Sequence, residues 1–160
     1  MTEPTIVELP DRGYVSLPGT VTMRTIGRIA DRLPDVFGWL GARGIEPAGA
    51  PFFRYNVIDM AAELELEVGV PVEVPVEVSG ELIAGTLPGG RYVTVTHHGH
   101  PDGLRDATAA LLGWAAERGL VWDRSGNHWG CRLEVYLTDP AIQPDMSKWE
   151  TELQFRLTDQ

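Results

Sequence analysis

The hydrophobic pattern divides the chain into strands and two helical stretches. In "ELELEV", residues 63–68, Leu64, Leu66 and Val68 alternate with Glu63, Glu65 and Glu67. A period of two places the apolar residues on one face of a strand and the glutamates on the other, one toward a core and one toward water. The run from Val70 to Val78 alternates as well, but Pro71 and Pro75 lack the N–H that a central strand donates. It reads as an edge strand or an extended linker. Spacings of three and four join Ile29, Leu33, Val36, Phe37 and Leu40, and again Leu104, Thr108, Leu111, Leu112 and Ala115. These are the apolar stripes of two helices. Pro34 must fall in a first turn, where its missing N–H is not needed. Gly44 and Gly119 close the two helices, and Asp102 is placed to cap the second.

The pattern recurs. "GWLGARGI" (38–45) returns as "GWAAERGL" (113–120), and "VTMRTIG" (21–27) as "VTVTHHG" (93–99). "FFRYNVI" (52–58) lies on "GCRLEVY" (130–136), and "AELELEV" (62–68) on "TELQFRL" (151–157). Each half, about 14–72 and 82–158, reads strand, helix, strand, strand. A half this small encloses little core alone, but two side by side share a sheet. The expected fold is α+β, a single domain over 1–160. It is built of duplicated strand-helix-strand-strand modules sharing an antiparallel sheet, with two long helices flanking a central groove.

Composition narrows the function. Of 160 residues, 43% are hydrophobic and 22% charged, which suits a folded globular domain. A net charge of −10 with no basic run argues against direct nucleic-acid binding and is compatible with a cationic partner. Cys131 is the one cysteine, so an internal disulfide is excluded. There is no CxxC or HExxH spacing, and His97 and His98 would point to opposite faces of a strand, so no metal or other cofactor is expected. The acidic start "MTEPTIVELPDRG" lacks the apolar run of a signal peptide. No stretch approaches the roughly 20 apolar residues that span a bilayer. The expected location is cytoplasmic, with no membrane partner.

Candidate chemistry gathers at a few positions. Trp39 and Trp114 match in the two halves, each roughly 110° from the centre of its helix stripe. Under an approximate two-fold axis they either face each other as walls of a cleft or both face away, packed on a neighbouring strand. Gly38 and Gly113 precede them at about 1 kcal/mol each relative to Ala, which suggests a close approach there. In "WGCRLEVYLTDP" (129–140), Leu133, Val135 and Leu137 alternate with Arg132, Glu134 and Tyr136. The second line is either a wet face with a surface Arg-Glu pair, or it looks into a cavity. In the cavity reading Arg132 pairs with Glu134 and Tyr136 donates to it. Asn56 matches Glu134 in the other half and would share the cavity floor. A carboxylate in an aromatic box suits lipophilic cations.

Other positions carry weaker signals. Trp149 is in line with Thr151, Leu153 and Phe155, as core or cavity rim. Phe53 and Tyr55 fall on the other line from Asn56 and read as packing residues, unless the register slips by one. Cys131 is an activated thiol beside Arg132 or an inert packing residue. His97, His98 and His100 supply an acid or base at the cleft mouth, or form an ordinary loop. Ser16 and Ser125 have no base near them in sequence.

"PFFRY" (51–55), "EVGVPV" (67–72), "LPGGRYVTVTHHG" (87–99), "GWAAERGL" and Glu134-x-Tyr136 before "LTDP" occur in an order that resembles the GyrI-like family. This is the effector-binding domain of multidrug-responsive transcription regulators, and the resemblance runs from about Ile6 to Leu157. It implies paired modules around a groove into which Glu134 reaches, facing cationic aromatic compounds, with Tyr136 beside it. Trp39, Trp114, Asn56 and Trp149 are added by geometry. The dozen residues before the first strand are too few for a helix-turn-helix, so a stand-alone multidrug-binding protein is expected. Its partners would be hydrophobic or cationic small molecules, with a protein partner possible. The resemblance also implies an alternative: a hydrolase of cyclopropane-bearing DNA-alkylating compounds, in which Glu134 and Tyr136 direct water onto the strained ring. A third reading takes Glu63, Glu65, Glu67, Glu73 and Glu77 as a polyanion mimic for a protein target, against the plain reading of a solvated face.

Overall fold

A computed structural model describes residues 3–22, 24–59 and 63–159. The strands are β1 (Thr5–Leu9), β2 (Arg12–Val21), β3 (Phe52–Ile58), β4 (Leu64–Pro71), β5 (Ile83–Leu87), β6 (Gly90–His98), β7 (Arg124–Ser125), β8 (His128–Trp129), β9 (Arg132–Tyr136) and β10 (Glu150–Arg156). The α-helices are α1 (Ile26–Ala30), α2 (Leu33–Ala42) and α3 (Leu104–Glu117). One antiparallel sheet runs β1-β6-β10-β9-β3-β4-β2-β5, with the short β7-β8 pair attached to β3. The class is α+β, as the pattern implies.

Each face of the sheet has its own core. Ile29 of α1 and Val36 and Leu40 of α2 cover Val15, Leu17, Leu64, Leu66, Val68 and Phe53. Leu104, Ala107 and Leu111 of α3 cover Val93, Val95, Leu153 and Phe155 on the same face. The opposite face gathers Tyr14, Phe52, Leu87, Tyr92, Cys131 and Leu133, with Val7 and Leu9 against them. These side chains come from both ends of the strand order, so the sheet must curl with this face inside. The curl explains a departure from the simple alternation of β4. Leu64, Leu66 and Val68 face the helices as expected, and Glu63 and Glu65 are exposed, but Glu67 is only 4% exposed. Glu67 therefore leaves the acidic outer line.

Local sequence accounts for the helix ends. The first stripe is broken in two: α1 stops at Ala30, and α2 starts at Leu33 with Pro34 in its first turn. Asp102 does not cap the second helix. Pro101–Gly103 forms a 3₁₀ turn in which the Asp102 N–H donates to the His100 ring, and α3 follows. Gly44 and Gly119 adopt φ of +68° and +66°. Beyond them Ile45 N–H donates to Leu40 O and Leu120 N–H to Ala115 O, the same left-handed closure in both helices.

One further reading changes, and of the two offered for the valine run the linker is met. Residues 21–27 hold the end of β2 and the start of α1, not a strand like 93–98, and Met23 and Ala62 of the repeated segments lie outside the described residues. The valine run after Pro71 is an extended connection to β5, with Val76, Val78 and Leu82 packed on the α2 side of the core. Around Gly38 and Gly113, an added Cβ would meet nothing within 4 Å, so no other described element approaches there. Gly38→Ala and Gly113→Ala should each stabilise the fold by about 0.5–1 kcal/mol, read as a higher thermal midpoint. A lower midpoint would reveal a neighbour that requires glycine.

Candidate functional site

Helix α2 packs on β4 and β2, and α3 on β6, so β10, β9 and β3 run between them. Leu133 turns to the curled-in face, so its neighbours Arg132 and Glu134 turn to the helix face, as does Tyr136. Phe53 of β3 pairs directly with Glu134. The Tyr55 and Tyr136 hydroxyls both donate to Glu134 Oε1, each at 2.8 Å. Phe53 packs edge-on against Tyr136 at 5.3 Å between ring centres. The Glu134 side chain thus stands among three rings, partly open to solvent.

The electrostatics of this carboxylate are set by burial. Removal from water pushes the Glu134 pKa up, while the bonds from Tyr136 and Tyr55 and the charge of Arg132 hold it back, and the net shift is upward. Both tyrosines are held well above the usual phenol range, first by burial and then by the neighbouring carboxylate. Arg132 does not ion-pair with Glu134. Its guanidinium lies over the rings of Phe155, Trp129 and Tyr55, at 4.5, 4.7 and 5.9 Å from their centres. Desolvation brings its pKa down to about 10, which leaves it charged at neutral pH. The strip therefore holds one cation on aromatic faces and, beside it, an acid with no ion-pair partner among the described residues.

Because each phenol favours the ionised acid, Tyr55→Phe and Tyr136→Phe should each raise the Glu134 pKa further. An NMR titration of the Glu134 side-chain carboxyl carbon reads this directly. An unmoved titration would mean that the phenols do not hold the anion.

The structure brings Glu134 and Tyr136 together and adds Tyr55, which the sequence placed among packing residues. Asn56 goes to the other face, where its Nδ2 donates to Glu67 Oε2 at 2.7 Å. The register between the halves is one residue off the sequence alignment, and that slip exchanges Tyr55 for Asn56. Glu67 also accepts from Tyr14 at 2.8 Å and Ser16 at 2.7 Å, and Arg54 donates to the Tyr14 hydroxyl at 2.9 Å. Burial, then Glu67, pushes the Tyr14 pKa up to about 12. This second acid was missed because alternation alone assigns it to water.

Trp39 is not brought to Glu134. It lines an open cleft of about 410 Å³ with Leu17 of β2, Arg32 and Ser79–Leu82, on the β5 side of α2. Trp114 packs against the α3 core. Arg43 stacks on Trp39 at 3.9 Å and Arg118 on Trp114 at 4.0 Å, so the two helices repeat this pairing. Trp149 Nε1 donates to Gln143 O at 2.7 Å and fastens the segment before β10. His97 bonds to His100 O, and His98 lies 3.3 Å from Glu150, so these rings serve the turn after β6. Cys131 is fully buried, and burial pushes its thiol pKa up, the mark of a packing residue. Among the described residues no group of three His, Cys, Asp or Glu is placed to hold a metal, and no helix is long and apolar enough to cross a membrane.

Residues 2–158 match the model of the GyrI-like small molecule binding domain. No curated protein matches the chain by sequence. Among solved structures, the EcmrR C-terminal domain is similar at 20% identity and a TM-score of 0.81, covering 99% of this chain and 98% of that one. This chain spans 58% of the EcmrR chain seen in a DNA complex. SAV2435 bound to tetraphenylphosphonium is similar at 13% identity and a TM-score of 0.67, covering 98% of this chain and 94% of that one. A hydrolase from Listeria innocua is similar at 14% identity and a TM-score of 0.64, covering 98% and 92%.

Proposed function

Given that the chain belongs to the family of GyrI-like small molecule binding domains, we propose that it holds hydrophobic, often cationic aromatic compounds between α2 and α3, over β9 and β3. Glu134 is the negative end of this groove. The observation that carries the reading is a part-buried carboxylate fixed by two phenols on one oxygen and without an ion pair among the described residues. Burying such an acid is costly unless a cation reaches it. The tetraphenylphosphonium bound to SAV2435 is a compound of this kind.

Trp39 opens toward β5, so we assign the groove wall to the opposite flank of α2. Phe37 lies roughly 160° around the helix from Trp39 and is 38% exposed. Leu112 holds the matching place on α3. Titration with tetraphenylphosphonium, followed by NMR, tests the reading. One saturable site with shifts centred on Tyr55, Glu134 and Tyr136 is expected. Shifts confined to other residues, or no binding at millimolar concentration, would overturn it.

The second reading is hydrolysis of a strained ring, and the raised pKa of Glu134 favours it, because a carboxylate moved toward neutrality is a better general base. Tyr136 or Tyr55 would then position the attacking water. Incubation with a cyclopropane-bearing alkylator should yield the hydrated product by mass spectrometry, and Glu134→Gln should abolish it. An unchanged compound would leave binding alone.

A further inference from the structure

The line of β9 that carries Glu134 begins with a second charge. Arg132 stands two residues earlier, so the two side chains leave the same face of the strand roughly 6–7 Å apart. They do not meet. Glu134 is held by the phenols of Tyr55 and Tyr136, while Arg132 lies on Phe155 and Trp129. Each still feels the other's charge: Arg132 pulls the Glu134 pKa down against burial, and Glu134 pulls that of Arg132 up. Arg124, stacked on Trp129 at 5.1 Å, adds positive charge at the Arg132 end. Phe155 and Trp129 belong to the core under α3, and Tyr55 packs on the core under α2. Arg132, over all three rings, lies where the two clusters meet.

Its donors are open. A guanidinium resting on ring faces keeps its N–H groups at its edges, in its own plane. No described residue accepts from Arg132, and the buried donors left without a partner belong to Arg12, Arg54, Trp39 and Trp114. Arg132 is half-buried, so its N–H groups reach solvent on the helix face. Glu134 Oε2 is in the same position, without a described donor and not closed off. The strip thus offers an anion site on rings at one end and a free carboxylate oxygen at the other. A plain cation satisfies Glu134 but is repelled by Arg132. A free anion meets Glu134 and a net charge of −10. A molecule with both charges satisfies both ends. Resting on the reading that cations meet Glu134, we propose that Arg132 is a specificity-determining residue that binds an acid group of the ligand, so that the groove prefers zwitterionic aromatic compounds to plain cations.

The experiment is calorimetric titration of the full chain at neutral pH with (4-carboxybutyl)triphenylphosphonium and, separately, with its methyl ester. Both carry the same rings and the same cation. Only the first has a carboxylate, on an arm about as long as the spacing of two same-face residues on a strand. The zwitterion should bind about 5- to 30-fold tighter than the ester. Arg132→Met keeps an apolar stem on the rings. It should erase that ratio and tighten the ester by about two- to fivefold, because a like charge has gone. A damaged fold would weaken both compounds, not strengthen one. Arg132→Lys keeps the charge and should retain part of the ratio, and with the wild-type comparison it decides the matter if Arg132→Met does not fold. An ester that binds wild type as tightly as the zwitterion, or a ratio unchanged in Arg132→Met, would overturn the proposal and leave cation binding at Glu134 standing. If neither phosphonium binds at millimolar concentration, the groove and this preference fall together.

Discussion

Glu134→Gln is expected to weaken tetraphenylphosphonium by about 10- to 100-fold while changing neutral triphenylphosphine oxide by less than about twofold. Gln keeps the shape and an oxygen that can accept from Tyr55 and Tyr136, so only the charge is removed. Arg132 cannot compensate, because its guanidinium already rests on Trp129 and Phe155. Equal losses for both compounds would show that Glu134 shapes the site without acting through charge. The same acid sets a pH limb. Burial raises its pKa, so as pH falls the proton competes with the cation at a higher pH than it would at a free carboxylate, and affinity declines there. In Glu134→Gln this limb should vanish.

Stability should move the other way. A folded-state pKa raised above the unfolded value means that the protonated form is favoured by folding. That contribution is fully present below the unfolded pKa and is lost as pH rises through the folded one. At neutral pH the ionised acid is therefore a burden on the fold, and Glu134→Gln should raise the thermal midpoint, with the difference shrinking in acid. One substitution that strengthens the fold and weakens the cation is the signature of a residue kept for binding.

The legible part of the fold was what depends on period and on local chain chemistry. The alternation of Leu64, Leu66 and Val68, the burial of Val36 and Leu40 on α2 and of Leu104, Leu111 and Ala115 on α3, and the closures at Gly44 and Gly119 are local facts, and the structure repeats them, while Phe37 of the first stripe is exposed. Glu134 and Tyr136 share a face by parity alone, whatever the neighbouring strand does. What failed depended on matching distant segments. Alternation cannot show that the sheet curls, so it could not distinguish the wet Glu65 from the buried Glu67. Aligning Asn56 with Glu134 assumed a register that nothing local enforces, and the irregular pairing between Tyr55 and Val57 lies at this point. The tryptophan flank follows from helix geometry alone, but Trp39 meets the connection through Ser79–Leu82, which that geometry does not show.

Glu67→Leu is expected to destabilise the protein by about 3–5 kcal/mol, a large share of the ~5–15 kcal/mol that holds a domain of this size. The volume is nearly kept, so the loss is electrostatic. Tyr14, Ser16 and Asn56 lose the acceptor they converge on, and Arg54, joined to Glu67 only through the Tyr14 hydroxyl, is left as a cation without its counter-charge. Glu67→Gln should cost less, about 1–3 kcal/mol, because one oxygen survives for Tyr14 and Ser16 while the new amide confronts the Asn56 amide. Adding Arg54→Leu to Glu67→Leu should recover part of the loss, which double-mutant comparison of urea midpoints at constant slope would show. The contrast with Glu134 is the point. The two acids stand on opposite faces of the same sheet, and Glu67 collects three donors across both oxygens, while the two phenols that bond Glu134 share one of its oxygens. An acid so fully satisfied serves the fold, and its removal should be felt in stability before ligand affinity. If Glu67→Leu unfolds within about 0.5 kcal/mol of wild type, the residue sits in water, as its strand period alone would place it.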